Sequence, residues 1–168
     1  VAVTVDSVGA RNQETLFRGR RNDTRVCSDC HDRSSLEKNN VRRPMYQGVD
    51  MLGLTSIQAS AMTWDYIKRI RDATKMKMVL KSILAWEDAK LAAENGYDGI
   101  IVSTHGGRAG DNGRSSIDAL PEIIAAVGGR IPVLVDSGFR RGSDIVKALA
   151  MGATLAVCLL SGSVLTRL

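Results

Sequence analysis

An α/β fold on a parallel sheet is what this sequence predicts, and three observations predict it. From residue 63 onward, short apolar runs alternate regularly with segments of helical periodicity, the pattern of successive βα units. The strand runs are apolar throughout rather than alternating, so each needs cover on both faces, as strands of a parallel sheet do. The polar residues collect at the carboxyl ends of those runs: Asp6, Lys81, Ser103 to Arg108, and Asp136 to Arg141.

Each element has its own local warrant. "VAVTVD" (1–6) is a β-branched run and opens the sheet. Residues 7–62 differ in kind, being rich in Arg, Asn, Asp and Ser with little periodicity, and are expected to form a long irregular loop inserted after the first strand. Thr63 can cap a helix whose Trp64, Ile67 and Ile70 share one face, and "MVLKSI" (78–83) is the next strand. A helix over "WEDAKLAAEN" closes at Gly96 and leads to a strand at 99–103. "ALPEIIAAV" (119–127) carries Pro121 in its first turn, ends at Gly128-Gly129, and precedes the strand "IPVLVD" (131–136). Ser143 is expected to cap "DIVKALAM", Gly152 to stop it, and "LAVCLL" to be the last strand.

Five strands and at least four helices in this order fit two architectures, part of a (β/α)₈ barrel or an open doubly wound sheet. Both put function at the carboxyl ends of strands. With 168 residues and 44% apolar content, one globular domain of ordinary core size is expected. The net charge of +5 suits an anionic partner, but Lys and Arg are dispersed and aromatics are few. Nucleic acid is therefore not expected as a partner, and a bound phosphate is the better candidate. Residues 148–166 carry no charge, but Gly152, Thr154, Ser161, Gly162 and Ser163 interrupt them, so a helix end and a buried strand are expected rather than a membrane span.

The stretch "IIVSTHGGR" (100–108) carries the strongest chemical signal. A run that seeks burial delivers His105 into a glycine-flanked loop, with Arg108 three residues on. Glycine lets a backbone approach a flat ligand closely, and a guanidinium grips a carboxylate with two parallel hydrogen bonds. An imidazole beside such an anchor is placed for proton abstraction.

These residues resemble a family, the FMN-dependent 2-hydroxy acid dehydrogenases and oxidases. The likeness rests on "TVD" (4–6), "VLKSI" (79–83), "IIVSTHGGR" (100–108), "LPEI" (120–123) and "VLVDSGFRRGSDIVKALAMGA" (133–153). It implies the C-terminal five-strand portion of a TIM (β/α)₈ barrel, with residues 1–168 as a single incomplete domain whose first three βα units are missing. It implies FMN as cofactor and a small L-2-hydroxy acid, of lactate or glycolate type, as substrate, with an unnamed electron acceptor. His105 would be the base and Asp6 its partner, because a carboxylate stabilises the imidazolium formed when the ring takes a proton. Arg108 would hold the substrate carboxylate, with Arg11 of "GAR" (9–11) as a second substrate arginine. Lys81 would stand at the flavin N1 and C2 oxygen, where a fixed cation favours the reduced anionic ring. Thr4 and Ser103 would hydrogen-bond the flavin, and Asp136, Gly138 and Arg140 would line its ribityl and phosphate region.

The chain departs from the family pattern at Ser82, where "LKG" is usual, at Thr104, and at Leu159-Leu160-Ser161, where a Gly-Arg-Pro phosphate clamp is usual. The last departure, with the absent front, favours a competing reading as a catalytically silent scaffold without flavin. A second competitor comes from "VCSDCH" (26–31), since C-x-x-C-H is the haem-attachment pattern. Its surroundings lack helical periodicity, so haem ligated by Met45 or Met51, or a metal at Cys27, Cys30 and His31, ranks below a structural loop motif, and no metal site is assigned. Cys158, in an apolar strand, is expected in the core. A homo-oligomer is an open partner, and a cytoplasmic setting is expected, with peripheral membrane association left open.

Overall fold

The computed structural model describes residues 1–6, 14–22, 24, 38, 46–50, 61–107, 113–157 and 164–166. In chain order the elements are β1 (Ala2–Thr4), α1 (Glu14–Arg21), α2 (Trp64–Asp72), β2 (Val79–Lys81), α3 (Trp86–Glu94), β3 (Gly99–Val102), α4 (Ser116–Val127), β4 (Val133–Val135), α5 (Gly142–Ala150), β5 (Leu155–Val157) and β6 (Val164–Thr166). Local chemistry fixes their ends. Thr63 Oγ1 accepts the Tyr66 amide at 3.3 Å and begins α2. Gly96, Gly128 and Gly152 take the positive φ needed where the chain leaves α3, α4 and α5.

Strands β1 to β5 lie side by side in chain order, all pairing parallel. A doubly wound sheet reverses its strand order at a switch point, and this sheet has no reversal. Of the two architectures open to the sequence, the arc of a (β/α)₈ barrel is therefore the one observed. Among the described residues the arc does not close, and β1 and β6 are its edges.

Register sorts the strand residues into two faces. Val3, Leu80, Ile100 and Val133 form one transverse row, and Val102, Val135 and Ala156 another. Leu80, Ile100, Val102, Val135 and Ala156 are wholly buried, in one cluster with Ile67, Ala89, Leu120, Ile123 and Ile145 from the helices. Each such large side chain contributes about 1.5–3 kcal/mol by leaving water. The intervening row, Thr4, Lys81, Ile101, Leu134 and Leu155, is only partly buried and faces away from the helices. Helices thus cover one face, and the other is the barrel's inner wall.

Two helix starts and two further elements differ from expectation. Helix α4 begins at Ser116 with Ser115 as cap, its Oγ accepting the Asp118 amide at 3.2 Å, so Pro121 sits in the second turn. The Ser-x-x-Asp cap outweighs the lost proline donor. Helix α5 begins at Gly142 with Arg141 at the cap position. Ser143 lies inside it, and the Asp144 carboxylate takes the amides of Arg140 and Arg141 at 3.1 and 3.0 Å. A helix, α1, stands within the stretch expected to be irregular. Strand β6 was not expected and pairs antiparallel to β5, whose outer edge offers unpaired backbone groups as a template. The uncharged stretch 148–166 divides into the end of α5, β5 and β6, and no described helix is long and apolar enough to cross a membrane.

Candidate functional site

The carboxyl ends of β1, β2, β3 and β4 bring together a connected set of polar side chains. Lys81 ends β2 in register with Thr4 of β1, on the inner wall. Its ammonium donates to Ser103 Oγ at 2.8 Å and lies 3.6 Å from the Asp136 carboxylate. Ser103 is fully buried and Asp136 is 8% exposed, so the cation at this rim has a desolvated counter-charge. The Lys81 side chain is 22% exposed, so it is a partly buried rim lysine rather than a solvated surface one.

His105 is held from three sides. Its Nε2 lies 2.8 Å from Asp6 Oδ1, across 99 residues of sequence, and 3.0 Å from Ser82 Oγ. Its own amide donates to Ser103 Oγ at 3.2 Å. A carboxylate acceptor requires a proton on Nε2, which leaves the basic lone pair of the neutral ring to Nδ1. The ring side chain is 19% exposed, enough for a small molecule to reach it.

Ser137, just beyond β4, is the hub of this rim. Its hydroxyl donates to Asp136 Oδ1 at 2.8 Å and accepts the amides of Thr104 and Gly106 at 3.1 and 3.0 Å. It therefore grips the backbone on both sides of His105. Ser116, 1% exposed at the start of α4, donates to the carbonyls of Asp136 and Ser137 at 2.6 and 3.1 Å and anchors the hub from below. Sequence reasoning missed Ser137 and Ser116 and gave Ser82 no role. The available signal was a serine placed directly after "VLK" and "LVD", where the backbone turns to positive φ: Ser82 at 77°, His105 at 54° and Ser137 at 75°.

Gly106, Gly107 and Gly138 also have positive φ, and a Cβ built on any of them meets nothing within 4 Å. Two backbone segments of the rim are thus bare, a cradle for a flat or phosphorylated group. Arg140 is exposed just before α5, and Asp136 is buried directly after β4. With Lys81 and the partly buried inner wall, these residues fit a group with an anionic ring edge and a phosphate tail. The amides of Arg140 and Arg141 are already spent on Asp144, so at that turn a phosphate would be met by side-chain charge. Thr4, Lys81, Ser103, His105, Asp6, Asp136, Gly138 and Arg140 all fall on this one rim. Arg108, Arg11, the Cys27, Cys30 and His31 motif, Met45, Met51 and Cys158 lie outside the described residues.

A separate cleft of about 340 Å³, lined by Ile124, Val127, Arg130, Pro132, Val133 and Thr154 among others, lies at the opposite, amino end of the strands. It is distant from the chemistry and from the end where barrels place it.

Residues 1–163 match the family of FMN-dependent dehydrogenases. Curated relatives include an L-lactate oxidase of Lysinibacillus sphaericus (strain C3-41), 49% identical over 60% of this chain and 26% of its own length. A 2-hydroxyacid oxidase of Dictyostelium discoideum is 46% identical over 67% of this chain and 28% of its own. Human 2-hydroxyacid oxidase 2 is 41% identical over 78% and 39%. The chain spans between a quarter and two fifths of the length of these relatives. Among solved structures, a mandelate oxidase with (S)-2-phenylpropionate is similar at 45% identity and TM-score 0.56, over 60% of this chain and 30% of that one. A mandelate oxidase variant with a monooxide FMN adduct gives 45% and 0.57, over 61% and 32%.

Proposed function

We propose, from the premise that this chain belongs to the FMN-dependent dehydrogenase family, that it contributes the catalytic rim of an enzyme oxidising a small L-2-hydroxy acid, of lactate or glycolate type, to the 2-oxo acid. The observation that carries the reading is the His105 to Asp6 contact of 2.8 Å at the mouth of a barrel arc. FMN, when bound, would supply the two-electron acceptor, taking the electron pair and one of the two hydrogens that the substrate loses, the equivalent of a hydride. His105 takes a proton from the substrate on Nδ1, and Asp6 stabilises the resulting imidazolium through Nε2–H. Arg108, with Arg11, holds the substrate carboxylate in a fixed orientation, which a guanidinium does through two parallel hydrogen bonds.

Lys81, Thr4 and Ser103 are the residues for the ring end of the cofactor, and Asp136, Gly138 and Arg140 those for its ribityl and phosphate end. With the cofactor bound, Lys81 would supply fixed positive charge beside the ring, which would favour electron acceptance there. In this reading residues 1–168 are one domain with 7–62 as an insertion in it, and further βα units complete the barrel. The two sheet edges that stay unpaired among the described residues, and the greater length of the relatives, support that arrangement.

Anaerobic absorbance spectroscopy on the purified protein tests the reading. A flavin spectrum bleached by lactate or glycolate is expected. A folded protein without a chromophore after reconstitution with FMN overturns it in favour of a silent scaffold, and a Soret band does so in favour of haem at Cys27 and Cys30.

A further inference from the structure

We infer that Ser82 is a positioning residue for His105, its hydroxyl serving with Asp6 as one of two oxygen partners that orient imidazole Nε2. The inference deepens the functional reading and rests on it for the role of the ring, but the contact stands on its own geometry. Ser82 has φ of 77°, a region that glycine enters freely and serine enters at a cost. The backbone there is pinned whatever the side chain, because the amides of Ser82 and Ile83 both donate to the Ile101 carbonyl, at 2.8 and 3.2 Å. Strain accepted at a fixed backbone needs a return from the side chain. The hydroxyl provides one, lying 3.0 Å from Nε2 in a position only 7% exposed.

The same nitrogen lies 2.8 Å from Asp6 Oδ1. One Nε2–H shared between two oxygens forms a three-centre hydrogen bond, and those oxygens come from different strand ends, β1 and β2. A ring held by one acceptor rocks about that bond, whereas two acceptors fix its plane. Among the described residues the charged groups on the neighbouring strand ends are Asp6, Lys81 and Asp136, and Lys81 is directed to Ser103 and Asp136. Ser82 is thus a neutral partner of the imidazole. It sharpens orientation and tautomer without adding charge beside the base.

Long-range proton–nitrogen NMR on the nitrogen-labelled full chain tests this, and it does so without flavin or substrate. The sequence holds two histidines, so the variant His31→Asn assigns the signals of His105. The wild-type ring is expected as the Nε2–H tautomer. In both Ser82→Gly and Ser82→Ala the preference for that tautomer should drop about two- to tenfold, as for one lost hydrogen bond. Ser82→Gly, relieved of strain, should melt no lower than wild type, while Ser82→Ala should melt lower. Unchanged His105 nitrogen shifts in the folded Ser82→Gly protein overturn the inference, and this variant gives the answer even if Ser82→Ala does not fold. A tautomer shift in a protein that neither binds FMN nor oxidises hydroxy acids upholds the contact and overturns the functional reading instead.

Discussion

The two rims of the sheet solve the same backbone problem in different ways. At the amino end, where helices return to strands, the left-handed turns are made by Gly96, Gly128, Gly129 and Gly152. Polar groups there serve structure: Asp98 takes Arg71 Nη1 at 2.5 Å and the Met78 amide at 2.8 Å, Thr154 takes the Val133 amide, and Arg130 donates to carbonyls in the last turn of α4. At the carboxyl end the turns use Gly106, Gly107 and Gly138 as well, but they also place Ser82, His105 and Ser137 in the left-handed region. Left-handed backbone is cheap in glycine and costly in these three, so among the described residues such strain falls only at this rim, where a side chain projects from that spot. One rim is optimised for holding the arc together, the other for presenting groups.

The sharpest break of this contrast is His105→Gln. It should lower the rate of flavin reduction by hydroxy acid about 10²- to 10⁴-fold with little change in melting temperature, read by anaerobic stopped flow. A rate within tenfold of wild type would remove the ring from the chemistry. Next comes Ser137→Ala, which leaves the Thr104 and Gly106 amides without their acceptor at about 1–3 kcal/mol. Hydrogen exchange at those two amides should accelerate, with turnover falling roughly tenfold.

At the opposite rim Gly152→Ala should do the reverse, since a Cβ there meets Ile124 Cγ2 at 3.0 Å and φ is 109°. A loss of about 1–3 kcal/mol in denaturant unfolding is expected, with the site's kinetics unchanged. The smallest effect belongs to Asp98→Asn. Hydrogen bonds from Arg71 and then from the Met78 amide hold the Asp98 carboxyl below its ordinary value of 3.8. A lowered folded-state value means that the carboxylate stabilises the fold above about pH 4 and that this contribution fades as pH falls through the folded value. Asp98→Asn should therefore flatten the acid limb of a stability-against-pH curve, and an unaltered limb would show that water screens the pair.

Much of the architecture was legible because periodicity and caps are local signals. Thr63, Gly96 and Gly128 mark their helix ends in the sequence and in the structure alike. The rim was legible too, since Asp6, Lys81, His105 and Asp136 interrupt apolar runs at points where turn chemistry does not call for them. What escaped depends on contacts between distant residues. Strand β6 is three residues long and exists as a strand through its pairing with β5. Ser82 and Ser137 look like ordinary turn serines until their φ values and partners are known, because no sequence pattern states which nitrogen a hydroxyl will reach. The cap of α4 was misplaced because Pro121 is a louder mark than Ser115, although the serine makes the hydrogen bond.

Asp6 and His105 meet only if β1 has docked beside β2, and between those strands the chain makes its longest excursion, residues 7–62. Closing so large a loop costs entropy that a three-residue ladder returns only in part, so the Asp6–His105 contact is expected to form after the α2-to-β5 core rather than with it, an order that pulse-labelling hydrogen exchange would read. A single proteolytic nick in that excursion would turn an intramolecular partner into a separate peptide, and competence at the rim would then vary with concentration.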